Sequence, residues 1–243
     1  STYGDYFPNN IGNKLKLSSI KIIPCGSAYL FSIKKKSKSN LNIKNFTILY
    51  PSGPLMDYVT DLEEIPREIN VEHRLNVLNL IEELLKIYPG LNLIYKPFPG
   101  TFDTDPIKDR LSSWIEKKRI LVKLYNSPIE LFEFSDIVLW DTISTGFSES
   151  ISSGIPSLVF NSKFELNQVP EKGKRMNDML VNSNIQFFDT KTGLKVFDNL
   201  IKKYKEYNIN SEEALNKYKK DLSLSVNPKE WRQKIKESIN NNL

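Results

Sequence analysis

Short apolar runs alternate along this chain with longer runs in which apolar residues recur every three or four positions. Phe46–Tyr50 (FTILY) is apolar along most of its length and stops at Pro51-Ser52-Gly53-Pro54. Leu91–Tyr95 (LNLIY), Arg119–Lys123 (RILVK), Asp136–Trp140 (DIVLW), Ser157–Phe160 (SLVF) and Ile185–Phe188 (IQFF) also read as strands. Ile20–Ile23 (IKII) reads as a weak first one. Val71, Leu75, Leu78, Ile81, Leu85 and Tyr88 share one helical face, and Pro89-Gly90 ends that helix. Asp105 to Lys118 is predicted helical, with Pro106 in its first turn. Pro128 to Phe134 is predicted as a short helix. From Thr190 the chain reads as helical to its end, in three segments broken near Asn208–Asn210 and at NPKEW.

Strands that are apolar throughout and alternate with helices indicate a parallel sheet covered on both faces. The expected fold is therefore α/β: a doubly wound, Rossmann-like parallel sheet of about six strands, with C-terminal helices. Residues 1–40 read as an N-terminal linker, 41–205 as the Rossmann-like domain and 206–243 as a C-terminal helical segment. Such sheets bind ligands at the carboxyl ends of their strands, where the strand order reverses. The loops that matter are then those after Tyr50, Tyr95, Lys123, Trp140 and Phe160.

Composition narrows the chemistry. The net charge of +5 and pI near 9.0 fit an anionic ligand, a nucleotide or an acidic membrane surface. The lysines form no stripe interleaved with aromatics, so nucleic acid is not an expected partner. Lys34–Lys38 (KKKSK) reads as an exposed basic loop. A single cysteine, Cys25, excludes an internal disulfide and a cysteine-based zinc site. A single histidine, His73, argues against a His-ligated metal centre or a Ser-His-Asp triad; it reads as part of a solvated helix face. No apolar run is long enough to cross a membrane, and Ser1 to Asn10 lacks the apolar core of a signal peptide. A cytoplasmic protein is expected, with peripheral contact at the inner membrane in view. The chain starts without Met, and an N-terminal portion is expected to be missing.

Three strand-end loops carry candidate residues: Ser52 and Gly53, Lys96-Pro97-Phe98, and Asp141 to Gly146. In the last, Ser144 or Thr145 can cap the following helix. The amides of its first turn, at the positive end of the macrodipole, can hold a phosphate. Gly146 would let a ligand approach the backbone. Glu149 could accept hydrogen bonds from a ribose diol. Plainer explanations stay open: a capped helix without ligand, an acidic residue favoured in a first turn, a surface lysine at position 96, and a proline-stiffened turn at Pro97-Phe98-Pro99.

The stretch SDIVLWDTISTGFSESISSGIPSLVF resembles the nucleotide-binding segment of GT-B-fold glycosyltransferases. The matching positions are Asp136, Ser144-Thr145-Gly146, Glu149 and Gly154-Ile155-Pro156. YKPFPG resembles the K-P-H-P segment of transferases that build bacterial surface polymers: sialyltransferases, Kdo transferases and CDP-glycerol glycerophosphotransferases. SIKIIPCGSAYL resembles the lead-in to their C-terminal domain. The likeness spans roughly Ser18 to Phe160. It departs at Phe98, where related sequences carry a His expected to contact the donor phosphate.

The resemblance implies the donor-binding half of a metal-independent glycosyltransferase that uses no cofactor. Its donor would be a CMP-, CDP- or UDP-linked sugar and its acceptor a polysaccharide or a lipid-linked chain, in capsule or lipopolysaccharide synthesis. Ser144, Thr145, Gly146, Lys96, Ser52 and Gly53 would hold the donor phosphate. Glu149, Pro97, Phe98 and Asp141 would face the ribose and base, with Asp141 also orienting its turn. The catalytic residue is not identified, since the base in inverting members usually comes from an N-terminal domain. The nearest D-x-D pair, Asp103–Asp105, is better explained by helix capping. The helix around Trp231 is a candidate brace for that N-terminal domain. Rival readings are a CDP-glycerol-type polyol-phosphate transferase, a non-hydrolysing UDP-sugar epimerase, disfavoured by the single histidine, and a non-catalytic nucleotide- or partner-binding module.

Overall fold

The computed structural model of this chain describes residues 27–36, 41–42, 44–54, 67–164, 171–204, 213–219 and 228–240. Two compact units result, Lys36–Ser211 and Ser1–Lys35 with Glu212–Leu243. In the second unit, helix α1 (Ala28–Ser32) starts at Ser27, whose hydroxyl accepts from the Leu30 amide at 3.2 Å. Residues 213–219 and Pro228–Asn240 are also helical. Pro228 opens this last helix, as suits a proline in a first turn.

The larger unit is a six-stranded, wholly parallel sheet in the order β3-β2-β1-β4-β5-β6. The strands are β1 (Phe46–Pro51), β2 (Leu91–Lys96), β3 (Ile120–Val122), β4 (Ile137–Trp140), β5 (Ser157–Phe160) and β6 (Gln186–Phe187). This is the expected doubly wound, Rossmann-like α/β fold. Ile20–Ile23, Cys25 and the break near Asn208–Asn210 lie outside the described residues.

Side chains alternate across the sheet, and each face is covered. On one side Ile48, Tyr50, Leu93, Tyr95, Leu139, Phe160 and Phe187 form a buried cluster. Helices α2 (Arg67–Ile87) and α8 (Thr190–Lys202) add Val77, Leu78, Ile81, Val196 and Phe197 to it. Leu49, Val138 and Val159 turn the other way and are equally buried. Helix α6 (Thr145–Ser153) supplies Phe147 and Ile151, both buried, from the connection between β4 and β5.

The segment expected as one helix from Asp105 is two short ones, α3 (Ile107–Arg110) and α4 (Ser112–Glu116), parted at Leu111. Asp105 caps the first, its carboxylate accepting from the Ile107 amide at 3.0 Å. Helix α5 (Pro128–Leu131) precedes β4, and α7 (Glu171–Asn182) precedes β6. The basic loop is not wholly exposed. Lys36 is half-buried, its amide donates to the Ser153 carbonyl at 2.8 Å and its ammonium donates to the Ser135 carbonyl. Burial lowers its pKa. Among the described residues no helix is long and apolar enough to cross a membrane.

Gly193 of α8 lies tight against the core: a Cβ there would sit 2.8 Å from the Phe187 ring and 3.0 Å from Leu80. A Gly-to-Ala change in an open helix position stabilises by up to about 1 kcal/mol. Gly193→Ala is expected to do the reverse, with overpacking costing about 1–3 kcal/mol. Urea denaturation checks this; a midpoint equal to or above that of the parent protein would show that the face is looser than described.

Candidate functional site

The strand order reverses between β1 and β4, and there the two strands part early. Their pairing covers only Ile48↔Ile137 and Leu49↔Val138, whereas β1 stays paired with β2 to Pro51↔Lys96. At the amino end Asp136 fixes the register, its carboxylate accepting from the Thr47 amide at 2.8 Å. At the carboxyl end the strands open onto a cavity of about 540 Å³. Ser52, Gly53, Lys96, Pro97, Phe98, Asp141, Ser144, Thr145, Gly146 and Glu149, the ten candidates taken from the sequence, all line it.

Their side chains are engaged very differently. Ser144 is the N-cap residue of α6, but its hydroxyl makes no capping bond. The helix therefore presents its first amides, at Thr145 and Gly146, without the hydroxyl partner the sequence suggested. Lys96 is 6% exposed, and its ammonium has one hydrogen bond, to the Pro97 carbonyl at 2.6 Å. An ammonium carries three donors. Burial lowers its pKa, so it gains most from an anion brought alongside.

Other candidates are occupied by the protein itself. The Ser52 hydroxyl lies 3.2 Å from the Tyr95 hydroxyl and accepts from the Phe98 amide at 3.3 Å. The Gly53 amide donates to both oxygens of Asp141, at 3.0 and 2.9 Å. Asp141 also accepts from the Tyr50 hydroxyl at 3.0 Å and pairs with Arg74 at 3.2 Å. Its carboxylate is thus turned into the fold and bonded to the loop after β1. The Phe98 ring is 40% exposed at the cavity and offers no polar group.

Gly146 has a reason unrelated to any ligand. A Cβ on it would sit 2.2 Å from the Trp140 ring. The helix start rests on that indole, whose Nε1 donates to the Ser150 hydroxyl at 3.1 Å. Ser157 donates to the same hydroxyl at 2.8 Å, and Ser153 donates to the Ser150 carbonyl at 2.7 Å. The Ser150 hydroxyl thus bonds α6 to β4 and β5. Gly154, at φ +81°, ends the helix in the left-handed conformation that glycine favours.

Of two neighbouring residues of α2, the sequence left Arg74 unremarked and placed His73 on a solvated face. His73 is not on a solvated face: it is half-buried, with Nε2 2.8 Å from the Asp141 carbonyl oxygen and its ring edge against Phe160. Arg74 is 3% exposed and reaches Asp141, the Tyr50 hydroxyl and the Gly53 carbonyl. The only signal for either was a polar pair within an amphipathic helix. After β3, Leu124 and Tyr125 add an exposed apolar rim to the cavity. No group of three or more His, Cys, Asp or Glu suited to a metal occurs among the described residues.

No family model matches the chain, and no curated protein matches it. Solved structures do. An S. aureus MnaA–UDP co-structure shares 17% identity, covering 90% of this chain and 59% of that one, with a TM-score of 0.53. A UDP-GlcNAc 2-epimerase from Neisseria meningitidis bound to UDP-GlcNAc shares 21% identity over 70% of this chain and 40% of its own, at 0.48. TarM shares 14% over 98% and 42%, at 0.46. The chain spans about half the length of these proteins. The Rossmann-like fold is shared with the MnaA structure, of which this chain spans 59%.

Gly146→Ala is expected to push α6 off Trp140. The indole emission should shift, and stability should fall by about 1–3 kcal/mol. Thermal unfolding followed by fluorescence checks this; unchanged emission and melting would mean that the helix start does not rest on the ring.

Proposed function

We propose that the cavity binds the phosphate and ribose of a nucleotide-activated sugar, and that this chain is the donor half of a glycosyltransferase. One observation carries the reading. A buried ammonium with unused donors and an uncapped helix start meet in one cavity, at the point where the strand order reverses. The MnaA structure that shares the fold was determined with UDP, which supports a nucleotide as the ligand class. The process served would be bacterial surface-polysaccharide synthesis, with a polysaccharide or lipid-linked acceptor at the cytoplasmic membrane face.

The chemistry of this half would be leaving-group stabilisation. As the bond from sugar to phosphate breaks, charge grows on the phosphate oxygens. The Thr145 and Gly146 amides, the Ser144 hydroxyl and Lys96 would meet that charge without rearranging; removing one such donor typically lowers a rate by about 10²–10³. Glu149 would accept from the ribose hydroxyls, and Pro97 and Phe98 would flank the nucleoside. Ser52, Gly53 and Asp141 would shape the floor rather than touch the ligand. One specific observation favours a second reading, a binding module without catalysis: the Phe98 ring offers no hydrogen-bonding group where transferases with the K-P-H-P segment carry histidine. Binding of UDP, CDP or CMP without turnover of any of their sugars would select it.

The Ser144 hydroxyl caps nothing, so its loss should leave the fold intact. Ser144→Ala with Thr145→Ala is expected to lower the affinity for UDP, CDP or CMP at least about tenfold, as befits lost hydrogen bonds to a charged group, while the melting temperature stays put. Titration calorimetry checks this, and parental affinity in the double variant would remove the helix start from the site. Glu149→Ala should weaken ribonucleotides more than their 2′-deoxy forms; equal losses would take Glu149 off the ribose.

A further inference from the structure

The Arg74–Asp141 pair has a place in the fold that charge compensation alone does not explain. The ladder between β1 and β4 ends at Leu49↔Val138, so no β1–β4 pairing joins the loops that follow these two strands. Across that gap Asp141 takes the Gly53 amide on both of its oxygens, at 3.0 and 2.9 Å. Arg74 Nη2 takes the carbonyl of the same residue at 2.7 Å, while Nη1 lies 3.2 Å from Asp141. Gly53 is therefore gripped at both its amide and its carbonyl. A Cβ at this residue would meet the Asp141 carboxylate at 3.1 Å. From the same turn of α2, His73 Nε2 holds the Asp141 carbonyl at 2.8 Å. Two consecutive side chains of one helix thus fix both the main chain and the side chain of Asp141, four residues before the start of α6.

We propose that Arg74 is a positioning residue of the anion site: with Asp141 it takes over from the ladder where β1 and β4 part, and so sets the start of α6 relative to the loop after β1. The proposal rests on the cavity being an anion site. It follows from shape as well as charge, because a planar guanidinium can serve Asp141, Tyr50 and Gly53 at once and a lysine ammonium cannot reproduce that fork. The groups facing Arg74 are Asp141, the Tyr50 hydroxyl, the Gly53 carbonyl and, with Nε at 3.9 Å, Asp105. Asp105 in turn accepts from Tyr95 at 2.6 Å. Arg74 also balances the charge of Asp141, a carboxylate lining the same cavity into which an anion would have to move.

The test uses the full chain with Arg74→Lys and, separately, Arg74→Met combined with Asp141→Asn, which removes both charges together. UDP, CDP and CMP are titrated, and amide exchange is followed at Gly53 and across 141–146. Arg74→Lys is expected to remain folded, to raise exchange at Gly53 at least tenfold over exchange at Leu139 within β4, and to lower nucleotide affinity at least tenfold. The paired variant should show the same two losses, since neutrality is kept but the grip is gone. Parental affinity together with parental Gly53 exchange in either folded variant would overturn the proposal. If Arg74→Lys does not fold, the paired variant decides alone. If the parent protein binds none of the three nucleotides, the reading of the cavity fails, and Gly53 exchange then decides whether Arg74 sets the loop. Ser144→Ala separates the two further: it should lose affinity while exchange at Gly53 stays at the parental level.

Discussion

A guanidinium shut away from water must be answered by anions and acceptors, and around Arg74 that requirement organises the carboxyl edge of the sheet. Burial pulls its pKa down, but Tyr50, Asp141 and Asp105 outweigh that and hold it charged. Burial likewise raises the pKa values of Tyr50 and Tyr95, so their hydroxyls stay protonated and donate to the two carboxylates. Removing one partner from such a buried pair typically costs about 3–5 kcal/mol, because the remaining charge is left unanswered. The network is therefore obligatory once built. What it holds is the floor of the cavity, including the turns that carry Ser52, Gly53 and Asp141.

That network also separates what the sequence disclosed from what it hid. The strands were legible because parallel strands buried on both faces are apolar along their length, as FTILY, LNLIY and IVLW are. The strand-end loops were legible for a related reason: in such a sheet any Ser, Thr, Gly or Lys just past an apolar run must fall on one edge. The six residues of these types, Ser52, Gly53, Lys96, Ser144, Thr145 and Gly146, line one cavity. Arg74 and His73 were not legible. A polar pair in an amphipathic helix reads as solvent-facing, and only the tertiary packing of α2 turns it onto the β4 loop. Strand ends were less well marked than strand centres, and the single helix expected from Asp105 gave no hint of its break at Leu111.

Small residues in the polar turn have two kinds of cause, which the sequence alone does not separate. Gly146 looks like a place for a ligand to come close, yet the Trp140 ring occupies the space its side chain would need. Ser150 and Ser153 are small and polar too, yet Ser150 bonds α6 to β4 and β5 and Ser153 bonds back onto its own helix. Ser144 is the exception. It stands where a cap is expected and does not cap. A position that declines its ordinary structural task, beside a lysine that cannot fill its hydrogen bonds internally, says more about a ligand than any run of small residues.

The division of labour within the cavity follows from these assignments. Its polar partners fall into two groups. Those on the floor are spent on one another: Ser52 on Tyr95 and Phe98, Gly53 on Asp141, and Asp141 on Arg74. Those on the wall made by α6 and the end of β2 are not: the first amides of the helix and two of the three donors of Lys96. A ligand that bonded to the floor would have to break existing bonds, whereas one that bonded to the wall would only complete unmet ones. Another part of the lining, at Phe98, Leu124 and Tyr125, is exposed and largely apolar. A molecule with an anionic centre and a flat or apolar end, seated with its charge against α6, is the kind that both parts accommodate without disturbing the network beneath.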